Sequence, residues 1–246
     1  PDMLRVIQVS REVFQLTGGA FDPTVAPLVN LWGFGPDPAL DKVPPKSSIN
    51  HQLARVGLNK LSVDDDAGNA RRTREIQLDL SAVAKGYAVD VVADMLTARG
   101  LTNYLVEVGG ELRISGHKAG QKSWRIAIES PEENRHEVQQ ALTPGDAGIA
   151  TSGDYRNYFE RDGKRYSHTI DPRTGYPVTH QLASVTVIAE RTAYADAMAT
   201  ALMVMGQREA LALAEKNDLA VYLLVKEGDG FKSYASPAFV PYLSGE

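Results

Sequence analysis

The chain has 246 residues, 43% hydrophobic and 23% charged, with a formal net charge of -5 and no cysteine. That length and apolar content suffice for one large domain or two closely packed lobes, and the acidic balance excludes the basic stripe of a general nucleic-acid binder. Without cysteine there are no disulfides, thiolate metal sites or cysteine nucleophile, and no apolar run approaches the roughly 18–20 residues that span a bilayer.

In chain order, Leu4, Ile7, Val9, Val13, Phe14 and Leu16 recur at helical spacing from Met3 to Leu16, and Gly18-Gly19 supply a stop. Ala20-Phe21-Asp22-Pro23 reads as a turn into Thr24–Trp32, and the Gly- and Pro-rich stretch from Gly33 to Ser48 as an irregular excursion. Ile49–Arg55 fits a short helix ending at Gly57, and the acidic run Asp64-Asp65-Asp66 a solvated turn. Glu75 to Leu80 alternates like a strand. Ala84, Ala88, Val91, Val92, Met95 and Leu96 then mark an amphipathic helix ending at Gly100. Tyr104–Val108 is a predicted strand interrupted by Gly109-Gly110 and resumed through Leu112 and Ile114; Trp124–Glu129 is another. Tyr155 to Asp171 reads as a hairpin folded at Asp162-Gly163, a favoured two-residue turn. A strand at Val185–Ile188, an Ala-rich helix from Ala193 to Met205 stopped by Gly206, a helix near Arg208–Glu215, and strands at Ala220–Val225 and Phe231–Ala235 complete the chain. Strands with hairpin-like neighbours and helices that come singly predict an α+β fold with mostly antiparallel sheet and packed helices.

Five constellations are candidates for chemistry. In strand register, Tyr166, His168 and Ile170 share one face while Ser167, Thr169 and Asp171 share the other. An imidazole near a strand end suits acid/base work; the structural alternative is a histidine that only hydrogen-bonds the turn, and Asp171 before Pro172 is an ordinary turn opener. Asp196 and Thr200 are i and i+4 on one helix face, a hard oxygen pair suited to Mg2+, although Thr in a helix also bonds back to its own backbone. In Asp79-Leu80-Ser81-Ala82-Val83-Ala84-Lys85-Gly86 a strand feeds a helix whose first turn carries a lysine. A cation there opposes the helix dipole, so either a bound phosphate or plain solvent exposure accounts for it. Gly109-Gly110 signals a bulge or a close backbone approach to a ligand. Gly19-Ala20-Phe21-Asp22 places an aromatic beside a carboxylate on open backbone, either a ring-binding edge or a turn.

The order of these blocks is more specific than any one of them. Ala20-Phe21-Asp22 is followed by Pro27 through Gly35, Asp79 through Gly86, Val106-Glu107-Val108-Gly109-Gly110 and Thr151 through Tyr158. Ser167 through Gly175 and Ala195 through Thr200 complete the series. The chain thereby resembles the ApbE family of FAD:protein FMN transferases, from about Gly18 to the C-terminus. The resemblance implies a T-fold-related architecture and a single domain over residues 1–246 that lacks the family's N-terminal segment. It implies Mg2+-dependent transfer of FMN from FAD to a Ser or Thr hydroxyl of a target protein, with release of AMP. Side chains of Asp196 and Thr200 and the main-chain oxygen of Ala82 are then the expected metal ligands. Ala20, Phe21, Asp22, Asp79, Lys85 and Ile170 are the expected FAD contacts, His168 the expected base and Asp171 its rival. Some relatives carry a second carboxylate where this chain has Ala199. Expected partners are subunits of membrane redox complexes of the Rnf and Nqr type. The expected location is the periplasm, with an inner-membrane lipid anchor whose signal is not in this chain. Two other readings use the same residues: an FAD pyrophosphatase, in which water replaces the protein hydroxyl, and a flavin carrier without turnover.

Overall fold

A computed structural model of the chain describes residues 2–36, 42–64, 68–72, 75–131, 138–153 and 158–243. Helix α1 (Asp2–Leu16) leads through a short 3-10 turn at Pro23–Val25 into α2 (Ala26–Leu31), then α3 (Lys46–Leu53) and the ribbon β1 (Leu61–Asp64) and β2 (Asn69–Arg72). Next come α4 (Ser81–Ala98), β3 (Tyr104–Val108), β4 (Glu111–Ser115), β5 (Ile126–Glu129), β6 (Val138–Leu142) and β7 (Ala147–Gly153). The hairpin β8 (Tyr158–Arg161) and β9 (Lys164–Ser167) precedes β10 (Leu182–Ala189), α5 (Thr192–Lys216), β11 (Ala220–Glu227) and β12 (Gly230–Ala235).

The body is a six-stranded sheet in the order β12-β11-β10-β7-β4-β3, every pairing antiparallel. Both faces of its central strands are covered, which explains the unbroken apolar run in β11. Val221, Leu223 and Val225 face the helical layer with Val185, Val187, Met198 and Leu202. Tyr222 and Leu224 face the opposite cluster with Ile114, Ile149, Leu142 and Phe239. A smaller cluster of Leu28, Trp32, Ile49, Val56, Phe159 and Ile170 builds a side lobe from α2, α3 and the β8–β9 hairpin. Its rings are stacked: Phe159 lies 5.0 Å from Tyr166, and Trp32 5.6 Å from Tyr166.

The N-terminus of α5 is pinned in three ways. The buried Asp90 of α4 accepts the Thr192 and Ala193 N–H groups, both at 3.0 Å, as an N-cap supplied by another helix. Gly86 of α4 and Gly148 of β7 both abut Thr192. A Cβ at Gly86 would lie 2.5 Å from the Thr192 carbonyl oxygen, and one at Gly148 2.6 Å from the Thr192 nitrogen. Glycine at both positions is what lets α5 approach this closely.

Helices α1, α4 and α5 fall where their periodicity puts them, and the break at Gly206 is present: φ +77°, ψ 168° interrupts α5 between the two predicted helices. Elsewhere the sequence reading needs correction. Glu75–Leu80 forms no strand; without a ladder, it passes the Asp79 N–H to the Pro23 carbonyl at 2.7 Å. Gly109-Gly110 is no bulge but the two-residue turn of the β3–β4 hairpin, with Val108 opposite Glu111 and both glycines at positive φ (61° and 97°). Helix α3 starts within the stretch read as irregular. The hairpin turn at Asp162-Gly163 is present, but its strands end at Ser167. The strands β1, β2, β6 and β7 went unpredicted. Residues 65–66 of the acidic run and 154–157 of the Thr151–Tyr158 block lie outside the described residues.

Candidate active site

The side lobe, the start of α4, the edge of β7 and the first half of α5 enclose a cavity of about 440 Å³, within the range that admits a cofactor-sized ligand. Ala20, Phe21, Asp22, Asp79, Ala82, Lys85, His168, Ile170, Asp196 and Thr200 all line it. Asp171 is not among the lining residues. Its carboxylate is held by Arg173: Oδ1 accepts the main-chain N–H and Nε–H, and Oδ2 accepts Nη2–H, each at 2.9 Å. Its main-chain oxygen accepts from Gly175, so Asp171 is spent on the turn that the Asp-Pro signal announced.

The chain bends at His168 just past the end of β9, so His168 and Ile170 do not reach the pocket by strand alternation. A second tight turn carries them there. Thr169 accepts from Val178, Asp171 donates to Tyr176, and Ile170 bridges Pro177. The imidazole lies edge-on to Phe34, 6.4 Å between ring centres, and Phe34 also lines the cavity.

Asp22 is buried, and its carboxylate serves the protein: Oδ1 accepts from the Thr24 N–H and hydroxyl, and Oδ2 from the Leu58 N–H at 3.0 Å. Burial raises its pKa, and the Thr24 and Leu58 bonds and Lys60 oppose the rise. Asp79 Oδ1 accepts the Ser81 N–H at 2.9 Å, turning the backbone into α4.

Asp196, Thr200 and Ala82, the residues expected to hold a metal, line the same cavity. Asp196 is 3% exposed, and its Oδ2 accepts the Gly86 N–H at 3.0 Å. In a regular helix that N–H closes on the carbonyl four residues back, which is Ala82. Ala82 departs from helical geometry (φ −91°, ψ 17°), so the first turn of α4 is irregular at this carbonyl. Thr200 Oγ1 lies 3.0 Å from Ser152 Oγ. Burial lifts the Asp196 carboxyl to about 6, against the attraction of Lys85 and the Gly86 N–H and with help from the negative charge of Glu111. Carboxylate, hydroxyl and carbonyl oxygens are the donor types Mg2+ prefers. Among the described residues no group of three His, Cys, Asp or Glu side chains forms an all-protein metal cage.

Sequence reasoning missed Glu111, Thr151 and Ser152 as side chains of the cavity. Thr151 and Ser152 lie on β7, itself unpredicted, and Glu111 follows a turn signal that drew attention to its glycines instead. The Lys85 ammonium pairs with the buried Glu111 carboxylate and stands 3.9 Å from Asp196 Oδ1. The protein itself supplies an anion for the helix-start lysine.

Comparison with known proteins places the chain in a family. The sequence model of the ApbE family matches residues 1–223. The FAD:protein FMN transferase of Vibrio cholerae serotype O1 is 49% identical over 243 residues, 98% of this chain and 72% of that protein. The enzyme of the same name from Escherichia coli K12 is 42% identical over 247 residues, 99% of this chain and 70% of that protein. Among solved structures, the Vibrio cholerae flavin transferase ApbE superposes with a TM-score of 0.89 at 46% identity, covering 99% of this chain and 77% of that one. The Pseudomonas stutzeri flavinyl transferase ApbE, in its apo form, gives 0.90 at 44%, covering 100% and 76%.

Proposed function

The chain belongs to the ApbE family, and from that premise we propose how its cavity works. The protein is a transferase that passes FMN from FAD to a target protein. The observation that carries the detailed reading is the cavity's charge. Two lining carboxylates, Glu111 and Asp196, stand beside the one lining lysine, Lys85, and Asp22 and Asp79 are also in the wall, an acidic excess that disfavours a pyrophosphate unless a further cation is present. Asp196, Thr200 and the Ala82 carbonyl are the residues that would hold Mg2+, which when bound supplies charge neutralisation to the phosphates.

The chain's own groups do the rest. Lys85 faces the phosphates. Contacts from the Ala20–Asp22 segment come from its backbone and the Phe21 ring, because the Asp22 carboxylate is engaged by Thr24 and Leu58. His168 accepts the proton of the incoming Ser or Thr hydroxyl. That oxygen forms a bond to the FMN phosphorus, and the bond from this phosphorus to the AMP oxygen breaks, so AMP leaves as the anion. Asp171 is the weaker candidate for base, since both its oxygens are held by Arg173. On the family resemblance we also propose a periplasmic location facing flavin-carrying subunits of membrane redox complexes; fractionation that finds the protein in the cytosol would overturn it.

The test is incubation with FAD, Mg2+ and a Ser/Thr-containing acceptor. The expected result is an FMN adduct on the acceptor with one AMP released per adduct. AMP and free FMN without adduct would make the protein a pyrophosphatase, and tight FAD binding without AMP would make it a carrier. Asp196→Ala should lower metal-dependent turnover by on the order of 10²-fold or more; unchanged turnover would displace the metal site. His168→Ala should cost on the order of 10²–10⁴-fold.

A further inference from the structure

Among the described lining residues Lys85 is the one lysine or arginine, so the reach of its ammonium decides how a phosphate is met. A lysine side chain is long and flexible, and this one is 43% exposed. It is nonetheless fixed at two points, both on the tip of the β3–β4 hairpin. The ammonium pairs with Glu111, whose side chain is only 4% exposed. The stem runs past Gly109: a Cβ there would lie 3.1 Å from Lys85 Cδ. The two-residue turn sets both contacts at once, because Val108 opposite Glu111 is the last pair of the ladder.

A buried carboxylate at a pocket wall is costly and is kept only where it is paired. Here the partner is a solvent-reaching lysine, not a buried one, and Glu111 Oε2 has no hydrogen-bond partner among the described residues. A carboxylate serving the fold alone would have both oxygens satisfied. From this we propose that Glu111 is a positioning residue for the transfer reaction. It holds the Lys85 ammonium at the cavity wall, 3.9 Å from Asp196, where the substrate's phosphates are met, and the bare Gly109 lets the lysine stem lie in that track. The inference rests on Lys85 being a phosphate contact.

The test is a double-mutant cycle on the full chain, measuring KM for FAD and kcat in the transfer assay with Mg2+. Glu111→Gln keeps the shape and removes the charge. It should raise KM about tenfold, the loss expected of one charge-assisted hydrogen bond, with kcat changed far less. Lys85→Ala should raise KM at least as much. Adding Glu111→Gln to Lys85→Ala should then change nothing further, because Glu111 acts through the lysine. Gly109→Ala, which crowds the stem and strains the turn at φ +61°, should raise KM in the same direction. If Lys85→Ala leaves KM unaltered, the phosphate-contact reading of Lys85 fails, and this inference with it. If Lys85→Ala raises KM but Glu111→Gln does not, Glu111 positions nothing. Equal losses from Glu111→Gln in both backgrounds would likewise overturn the proposal and put Glu111 in direct contact with the substrate. A lower melting temperature for Glu111→Gln at unchanged KM reduces Glu111 to a structural residue.

Discussion

At the scale of single residues, the buried Asp196 carboxyl is in electrostatic conflict with its surroundings. Its carboxyl is raised by burial to about 6 from an ordinary 3.8, so the fold favours its protonated form. That preference contributes stability in full below about pH 4 and loses it as pH rises through about 6. In metal-free protein at neutral pH the buried charge therefore costs on the order of 3 kcal/mol. Asp196→Asn keeps an oxygen for the Gly86 N–H and removes the charge. Without metal it should be more stable than the parent at pH 7.5 by up to that amount, and the gain should vanish near pH 4. With Mg2+ present the order should reverse, because only the parent gains stability from the ion. Denaturant melts at both pH values, with chelator and with Mg2+, check this; a gain independent of pH would mean that the Asp196 charge is not the destabilising feature.

At the scale of elements, the contact between α4 and α5 places the site. Gly86 does two things there: its missing side chain lets Thr192 come close, and its N–H holds Asp196. Gly86→Ala would put a methyl 2.5 Å from the Thr192 carbonyl oxygen. The helices must then separate, at about 1–3 kcal/mol for overpacking, and the Asp196 bond lengthens as they do. The expected outcome is a lower melting temperature together with weaker Mg2+ activation, read from the metal dependence of turnover; loss of stability with metal dependence intact would separate the packing role from the site. This junction also explains what the sequence made legible. The helices were readable because apolar positions at helical spacing end at glycines. The Asp196/Thr200 pair was readable because i and i+4 face one way on any helix. Strand β7 was not, because Gly148 and Ala150, which face α5, are small to admit it and so lack the branched residues that mark strands. Glu75–Leu80 misled in the opposite sense: alternation of residue types says nothing of whether a partner strand lies beside the segment, and here Ile76 is buried while Leu78 is exposed. Glu111 was unreadable because its meaning depends on Lys85, a residue of another element that only the fold brings near.

At the scale of the whole molecule, the cavity is a seam. One wall belongs to the helix-and-sheet core through Phe21, Ala82 and Met203, and the other to the aromatic side lobe through Val25, Val29, Phe34 and Ile170. The lobe is tied internally by the Trp32 Nε1–H bond to the Gly175 carbonyl at 2.9 Å, and to the segment entering α2 by Asp22 and Leu58. A ligand in a seam stabilises both sides, since it binds only when both are in place. With Mg2+ and FAD at about one hundred times the dissociation constant, mass action adds about 2.7 kcal/mol, a rise of roughly 5–10 °C for a chain of this size. Because the lobe shares the cavity with the core, unfolding should be one cooperative transition both with and without ligand. Hydrogen exchange is the finer measurement. Ligand should slow exchange together at the start of α4, at the first half of α5 and at residues 166–172. Protection confined to the helical side would mean that His168 and the aromatic lobe do not close on the flavin, and the assignment of the base would then have to move to the core.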